Sequence, residues 1–308
     1  MFTIGKNFHI IHMSDDLTTL DAWYDDVFAV DRWMDHQFSD GLKRYGSLVQ
    51  VGDLCIEPMA PSLDVEGWEQ APVGRFFRRF GQRWHSIAWY VPTKDDFAEV
   101  YRTLRANDVR ILGGLGDRSD DQPPPGAMFT HPRDTITQLE FIVQPPPGGM
   151  GGNVDPRFTD SFQASRWTEH PLGITKSSHV TLTVRDQERG KRIYGEILGG
   201  TLLHEGEQSI TGTRSSFLSV GEDLVIELAT PADDTSAIGA DVVSNGEGIY
   251  AVSYQVKDLE ATERYLATKG IKASVNDGTT LLTDPATTMG VVMGFTTWEI
   301  PNDPRPRW

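Results

Sequence analysis

Alternating apolar and polar positions recur along the chain in short runs that predict β-strands followed by helices. The run "HSIAWYV" at 85–91 alternates up to a polar turn, and apolar residues then recur every three or four positions, as on one face of a helix. The run "YAVSYQV" at 250–256 leads into the same order of elements. Each segment then reaches a proline-containing turn, "HPRDT" or "DPATT", and a final apolar strand. The pattern therefore predicts repeated units of one strand, one helix and about three further strands.

Fixed spacings reveal the other two units. His9 and Glu57 are 48 residues apart, and so are His179 and Glu227. Each of these histidines precedes an aspartate by seven residues and a tyrosine by fifteen, and each glutamate precedes a proline by four. Chance would rarely preserve four spacings at once, so these matches indicate an internal duplication. The four predicted units begin near His9, His85, His179 and Tyr250.

A stretch rich in proline and glycine separates the second unit from the third. Its sequence, "QPPPGGMGGNVDP" at 144–156, cannot continue a strand or a helix. We therefore predict an N-terminal domain over 1–145, a linker over 146–171 and a C-terminal domain over 172–308, with two units in each domain. A second proline-rich segment, 117–128, is expected to be an exposed loop within the second unit.

Composition limits the classes of binding partner and the cellular compartment that are expected. The 308 residues include 28 Lys and Arg against 44 Asp and Glu, a formal charge of −16, which argues against nucleic acid or anionic membrane as a partner. Cys55 is the only cysteine, so no internal disulfide can form. The first residues become acidic too early for a signal peptide, and no apolar run approaches membrane-spanning length. A cytoplasmic protein is expected.

Three glutamates stand inside apolar strand runs, where charged residues are unusual. They are Glu57 in "LCIEPMAP", Glu140 in "TQLEF" and Glu227 in "LVIELATP". A buried carboxylate without a partner is strongly unfavourable, so an apolar strand tolerates one only if it is paired or bound to a metal. The pattern thus predicts a partner for each glutamate.

The four units resemble those of the vicinal oxygen chelate superfamily, which includes glyoxalases, bleomycin-resistance proteins, extradiol dioxygenases and methylmalonyl-CoA epimerase. The resemblance covers most of the chain. Its most specific local match is to the epimerase and glyoxalase I branch, through "APVGRFFRRFGQRWHSIAWYV" and "HPRDTITQLEF". The resemblance implies an α+β fold in which four βαβββ modules form two glyoxalase-like, cup-shaped domains. It also implies that histidines from first strands and glutamates from last strands meet a divalent metal at the floor of a cup.

On this resemblance, the metal ligands would be His9, Glu57, His85 and Glu140. Imidazole and carboxylate suit Zn, Ni, Co, Mn or Fe(II), and the residues alone do not choose among them. In the family pattern, the first-strand ligand lies five residues before a valine. Counting back from Val91 reaches Ser86, whereas His85 lies one residue earlier, so the place of His85 stays open. A one-residue offset reverses the face of a strand. Either a bulge turns His85 inward, or Ser86 occupies the floor and three protein ligands remain.

The second half keeps fewer candidate ligands. The third unit retains His179 and Glu227, but the fourth has no good ligand at the equivalent positions, which are Ala251 or Tyr250, and Met293. We therefore expect a structural relic in the C-terminal domain. Pairing of units within each domain needs no exchange across the linker and is preferred. Pairing of the second unit with the third would instead combine Glu140 with His179 and Glu227.

The resemblance implies a metal-dependent enzyme acting on a small organic substrate. Proton transfer beside a metal-chelated carbonyl is expected, as in an isomerase, epimerase or lyase, with Glu140 or Glu57 as the base. One alternative is an extradiol-type dioxygenase, in which His9, His85 and Glu140 hold Fe(II). A second alternative is a non-enzymatic small-molecule binding or resistance protein. Since four units complete both cups, the chain is expected to be a monomer or a homodimer.

The segment "RFFRRFGQRW" at 75–84 combines four arginines with aromatic residues. Because the chain is acidic overall, we interpret the segment as an amphipathic helix that packs Phe76, Phe77 and Phe80 and exposes arginine. A narrower interpretation is that one arginine pairs with a carboxylate or phosphate of a substrate.

Overall fold

The computed structural model describes residues 2–112, 122–146, 149 and 152–307. Within these residues, the chain forms two eight-stranded mixed sheets with helices packed against them. Parts of two predicted segments lie outside the described residues, namely 117–121 of the proline-rich loop and 147, 148, 150 and 151 of the linker.

The first sheet and its helices make up the N-terminal domain. The strands are β1 (Asn7–Met13), β2 (Asp31–Ser39), β3 (Arg44–Val51), β4 (Leu54–Pro61), β5 (Arg83–Val91), β6 (Ile111–Leu112), β7 (Ala127–Thr130) and β8 (Gln138–Val143). The helices are α1 (Leu17–Phe28), α2 (Pro72–Phe80), α3 (Lys94–Ala106) and α4 (Pro132–Thr135). The strand order is β2-β3-β4-β1-β5-β8-β7-β6.

The second sheet repeats this arrangement in the C-terminal domain. After α5 (Arg166–Glu169), its strands are β9 (Ile174–Thr183), β10 (Thr201–Gln208), β11 (Thr213–Val220), β12 (Leu224–Pro231), β13 (Gly248–Val256), β14 (Ala273–Asn276), β15 (Thr280–Thr283) and β16 (Val292–Thr296). Its helices are α6 (Gln187–Lys191), which continues as a π-helical turn over Arg192–Ile197, α7 (Ala237–Asn245) and α8 (Leu259–Thr268). The strand order is β10-β11-β12-β9-β13-β16-β15-β14.

Each sheet joins two units through their first strands. β1 pairs with β5 in the antiparallel direction, and β9 pairs with β13 in the same way. Within each unit, the first strand is parallel to the last, as in β1 with β4. The structure therefore confirms an α+β fold of four βαβββ modules in two glyoxalase-like domains, and it pairs the units within each sheet.

The spacings seen in the sequence have local causes. Asp16 and Asp186, seven residues after the histidines, are the N-caps of α1 and α6, where each carboxylate accepts hydrogen bonds from two backbone amides. Tyr24 and Tyr194, fifteen residues after the histidines, are both fully buried. The duplicated motif therefore specifies the start of a helix and the residue that packs it against the core.

The two domains share one continuous hydrophobic core. His12 faces this interface, as expected of a residue on the side of β1 opposite His9, and its Nε2 lies 2.9 Å from the backbone oxygen of Met289. Trp84 Nε1 donates to the backbone oxygen of Val292 at 3.0 Å. The halves are thus packed together by hydrogen bonds as well as by apolar contact.

Part of the predicted linker packs against the N-terminal domain. Arg157 is buried, pairs with Asp155 at 2.6 Å and donates to the backbone oxygen of Phe8 at 3.0 Å. Near the carboxyl end, Arg305 pairs with Asp303 at 2.9 Å and donates to the backbone oxygen of Ser178, the equivalent position of the second domain. An Asp-Pro-Arg sequence therefore closes each domain in the same way. No helix in the described part of the chain is long and apolar enough to cross a membrane.

Candidate active site

Three of the four predicted ligands converge on the floor of the first sheet. His9 on β1 is registered opposite Ala88 on β5, and Ala88 is registered opposite Glu140 on β8. Glu57 on β4 is registered opposite Ile11, two residues from His9 and therefore on the same face. His9 Nε2 lies 3.1 Å from Glu57 Oε2 and 3.3 Å from Glu140 Oε2. Residues from units one and two thus meet at a single point.

The surroundings of His9 favour a positive charge. Burial alone would lower the pKa of His9, but the carboxylates of Glu57 and Glu140 outweigh burial and raise that pKa above its ordinary value. Both ring nitrogens are buried, and among the described residues neither has a well-directed hydrogen-bond partner. A buried imidazole without such a partner, beside two carboxylates, is the arrangement expected of residues that ligate a divalent cation.

His85, rather than Ser86, faces this site. The pairing of β1 with β5 shifts between Ile87 and Trp84, which leaves one extra residue on β5 and forms a bulge. The ring of His85 lines the same cavity as His9, whereas Ser86 is buried and is not among the described residues that line it. The bulge and the place of His85 on the cavity wall agree with the alternative in which a bulge turns His85 inward, and its role as a metal ligand stays a prediction.

His85 is held as a neutral ring. Burial, together with the charge of His9, lowers its pKa to about 4. Its Nδ1 lies 2.9 Å from Ser86 Oγ, and its ring packs edge-to-face on Phe76. A neutral imidazole oriented through one nitrogen leaves the other free to act as a metal ligand.

The two glutamates differ in their partners. Arg44 Nη2 lies 3.0 Å from Glu57 Oε1, and the two side chains are 16% and 3% exposed. Gly46 leaves room for this pair, because a Cβ at that position would lie 2.9 Å from Glu57 Oε1. Glu140 has no arginine partner among the described residues, and its side chain is 12% exposed. Glu57 is therefore fixed, whereas Glu140 is freer to move.

Sequence reasoning missed Arg44. Arg214 lies 170 residues later, which is the sequence spacing of the repeat, but the strand register differs there by one residue. Arg44 is opposite Pro61, whereas Thr213 is opposite Pro231, so Arg214 lies on the other face of its strand and is exposed to solvent. Residue type and spacing therefore do not distinguish the two arginines. Only the folded arrangement brings Arg44 to Glu57.

A cavity of about 1190 Å³ opens above these residues. Its wall includes α2 and the turn around α4 from the N-terminal domain, and residues 245–249 from the C-terminal domain. Apolar side chains such as Phe8, Met34 and Ile142 line it together with the polar groups of the floor. A concave and largely apolar site with a few converging polar groups is typical of small-molecule binding.

The equivalent site of the C-terminal domain is closed. His179 Nε2 lies 3.3 Å from Glu227 Oε2, but Glu227 also accepts hydrogen bonds from Thr181 Oγ1 at 2.6 Å and Ser215 Oγ at 2.7 Å. Burial raises the pKa of Glu227, and these partners outweigh burial and lower it below its ordinary value. The cavity here is about 30 Å³, which is room for about one water molecule.

The structure corrects one position in the fourth unit. Ser253 on β13 is registered opposite Gly294 on β16, just as Ala88 is opposite Glu140, so the equivalent of Glu140 is Gly294 and not Met293. The closing turn is one residue longer in this unit. Thr130 Oγ1 accepts from a backbone amide 9 residues later, whereas Thr283 Oγ1 accepts from one 10 residues later. The prediction of Met293 as the equivalent position is therefore wrong by this one residue.

One group of three side chains whose ligand atoms are close enough to share a metal ion lies outside the cavity lining. Asp21, Asp35 and His36 have ligand atoms within 4.8 Å of one another. Arg32 forms ion pairs with both aspartates, and Ser47 Oγ donates to Asp21 at 2.8 Å. An arginine thus already supplies the positive charge that a metal would bring.

Comparison with known proteins relates the chain to one superfamily of folds. Residues 178–281 match a family model described as the Glyoxalase/Bleomycin resistance protein/Dioxygenase superfamily. A triple mutant of 4-hydroxymandelate synthase from Streptomyces coelicolor matches over 96% of this chain and 92% of its own, with 11% identity and a TM-score of 0.65. At that identity, the likeness concerns the fold.

A second solved structure is similar over a shorter length. Methylmalonyl-CoA epimerase from Mycobacterium tuberculosis matches over 40% of this chain and 87% of its own, with 27% identity and a TM-score of 0.37. No curated protein matches the chain.

Proposed function

We propose that the N-terminal domain is a divalent-metal-dependent enzyme of the glyoxalase, bleomycin resistance protein and dioxygenase superfamily, whose family model matches residues 178–281 of the chain. The reaction is the transfer of a proton next to a carbonyl group of a small organic substrate, as in an isomerase, epimerase or lyase. The observation that carries this proposal is the approach of two buried carboxylates to one buried imidazole at the floor of a large cavity.

The proposed ligands are His9, Glu57, His85 and Glu140. Their donor set of two imidazoles and two carboxylates suits Zn, Ni, Co, Mn or Fe(II). When bound, such an ion supplies Lewis-acid polarisation of a carbonyl oxygen, which makes the neighbouring C–H more acidic.

Glu140 is the proposed base. Arg44 holds one oxygen of Glu57 at 3.0 Å and thereby fixes that carboxylate, so Glu57 serves as a permanent ligand. Glu140 is more exposed to the cavity, and it accepts the proton from the substrate carbon and returns it to the same or a neighbouring carbon.

Two measurements test this proposal. Protein purified without chelators is expected to carry about one equivalent of a divalent metal, and His9→Ala and Glu140→Ala are expected to lose most of it. In D₂O, the wild-type protein is expected to exchange the α-hydrogen of at least one member of a panel of small carbonyl compounds, followed by proton NMR. Glu140→Gln should slow that exchange at least a hundredfold, which is the usual contribution of general-base catalysis.

The opposite results would exclude this function. Substoichiometric metal in the wild-type protein, together with exchange that Glu140→Gln leaves unchanged, contradicts both the metal and the base.

A dioxygenase is the second candidate, and the Arg44 pair favours it. If Arg44 satisfies Glu57, the remaining donors are His9, His85 and Glu140, the two-histidine and one-carboxylate set of non-haem Fe(II) oxygenases. Anaerobic loading with Fe(II), followed by oxygen-uptake measurements with a panel of catechols, separates the two candidates. Oxygen consumption in step with loss of catechol would support the dioxygenase.

A further inference from the structure

Among the residues that the structure describes, the cavity wall carries more positive than negative side chains. Its basic residues are Lys43, Arg44, Arg75, Arg79, Arg83 and Arg133, and its acidic residues are Glu57, Glu140 and Glu247. This excess stands out in a chain whose formal charge is −16. Positive charge collected inside one concavity focuses the electrostatic field and attracts anions there.

Three of the six basic residues already have a carboxylate partner. Lys43 pairs with Asp40 at 2.7 Å, Arg44 pairs with Glu57 at the floor, and Arg83 pairs with Asp241 at 3.3 Å. The acidic Glu247 is likewise paired, with Arg189 at 2.7 Å. Among the described residues, no carboxylate pairs with the other three: Arg75, Arg79 and Arg133.

Two of these arginines lie on one face of α2. Arg75 and Arg79 are four residues apart, so their side chains project one helical turn apart on the same side. Arg79 stacks on the ring of Phe80 at 4.8 Å, and Arg75 donates to the backbone oxygen of Gln70. Both contacts orient a guanidinium without neutralising it. Arg78 lies on the same helix but is not among the described residues that line the cavity.

Both domains fix the position of the third arginine. The backbone amide of Arg133 donates to His131 Nδ1 at 3.2 Å, which caps α4. Its backbone oxygen accepts from Arg189 Nη2 of the C-terminal domain at 2.6 Å. A fixed backbone limits the positions that the Arg133 guanidinium can reach on the cavity wall.

We propose that Arg75, Arg79 and Arg133 form an anion-binding site in the cavity wall. The site takes a phosphate or carboxylate group of the substrate, because the guanidinium fork binds both groups through two parallel hydrogen bonds. The volume of about 1190 Å³ allows a ligand to reach the floor and the wall at once. The inference rests on the proposed function in one respect, namely that the other end of this ligand reaches Glu140.

Calorimetric titration with two probes tests the site. Inorganic pyrophosphate represents the phosphate group and tricarballylate the carboxylate group. The protein is first dialysed against a chelator, so that neither probe registers by coordinating an ion. At least one probe is expected to bind, more weakly as the salt concentration rises, and the preferred probe identifies the anionic group.

Matched variants locate the binding. Arg133→Gln and the double variant Arg75→Gln/Arg79→Gln are each expected to weaken binding of the preferred probe at least tenfold. Arg78→Gln, which removes the same charge from the same helix, is expected to change it less than twofold. An equal loss in Arg78→Gln, unchanged binding in the double variant, or failure of both probes to bind would overturn the site.

One further variant separates this inference from the proposed function. Glu140→Gln is expected to bind the probe at least as well as the wild-type protein does, because the site lies on the wall and not at the floor. If proton exchange proves absent while the arginine variants still lose the probe, the proposed reaction is wrong and the anion site remains.

Discussion

Replacing Arg44 by Gln tests whether its guanidinium stabilises the buried carboxylate of Glu57. The pair is 3.0 Å apart, and the Glu57 side chain is only 3% exposed. Removing one partner of a buried ion pair leaves the other charge uncompensated, at a cost of about 3–5 kcal/mol. Arg44 is 16% exposed and His9 stays beside Glu57, so the lower part of that range applies. We therefore expect the free energy of unfolding of the metal-free protein to fall by about 3 kcal/mol.

Urea unfolding followed by far-UV circular dichroism measures this loss. The urea concentration at the unfolding midpoint should fall. The slope of the free energy of unfolding against urea concentration should stay the same, because the surface exposed on unfolding is unchanged. Arg214→Gln is the matched control, since it removes an arginine at the same sequence spacing in the second domain, where the register places it on the exposed face of its strand. It should change stability by no more than about 0.5 kcal/mol. Equal effects of the two substitutions would refute the role assigned to Arg44.

Three further substitutions test other parts of the structure. Burial lowers the pKa of His12 from 6.5 to about 4, so folding stability present above pH 6.5 is lost as the pH falls towards 4. Between about pH 7.5 and 5.5 this loss amounts to about 1.4 kcal/mol, and urea unfolding of His12→Gln should lack that part of the pH dependence. Gly294→Ala should cost about 2 kcal/mol in the same assay, because its Cβ would collide with Ser253 Oγ and would lie 3.0 Å from Ser253 Cβ. Adding Ser253→Ala removes only the Oγ and should recover part of the loss; no recovery would contradict the collision with Oγ. Ser215→Ala removes a hydrogen bond to buried Glu227, and thermal unfolding should show a loss of about 1–3 kcal/mol, whereas an unchanged midpoint would mean that this hydrogen bond contributes nothing.

Much of the fold can be predicted from the sequence because its repeated signals are local. The aspartates seven residues after His9 and His179 cap helices, and the tyrosines fifteen residues after them pack those helices on the core. Both features depend on neighbouring residues in the chain, so their spacing survives in each copy. The strand order and the two-domain architecture follow once four such units are found.

The remaining errors and open choices concern single-residue offsets. The face of His85 depends on a bulge opposite β1, and the identity of the residue equivalent to Glu140 depends on one extra residue in a turn. Both depend on pairing between strands that are distant in sequence. Arg44 could not be singled out for the same reason, because its partner Glu57 is brought to it only by the pairing of β3 with β4.

Residues 245–249 connect the C-terminal half to the candidate active site, although the equivalent cavity of the C-terminal half itself is closed. They form part of the cavity wall of the other half, and the bonds from Trp84 to Val292 and from His12 to Met289 tie the two together. Cutting the chain between the sheets would leave an indole N–H and an imidazole without their partners and would open one side of the cavity. The C-terminal half thus completes the cavity of the N-terminal half, although its own equivalent site is closed.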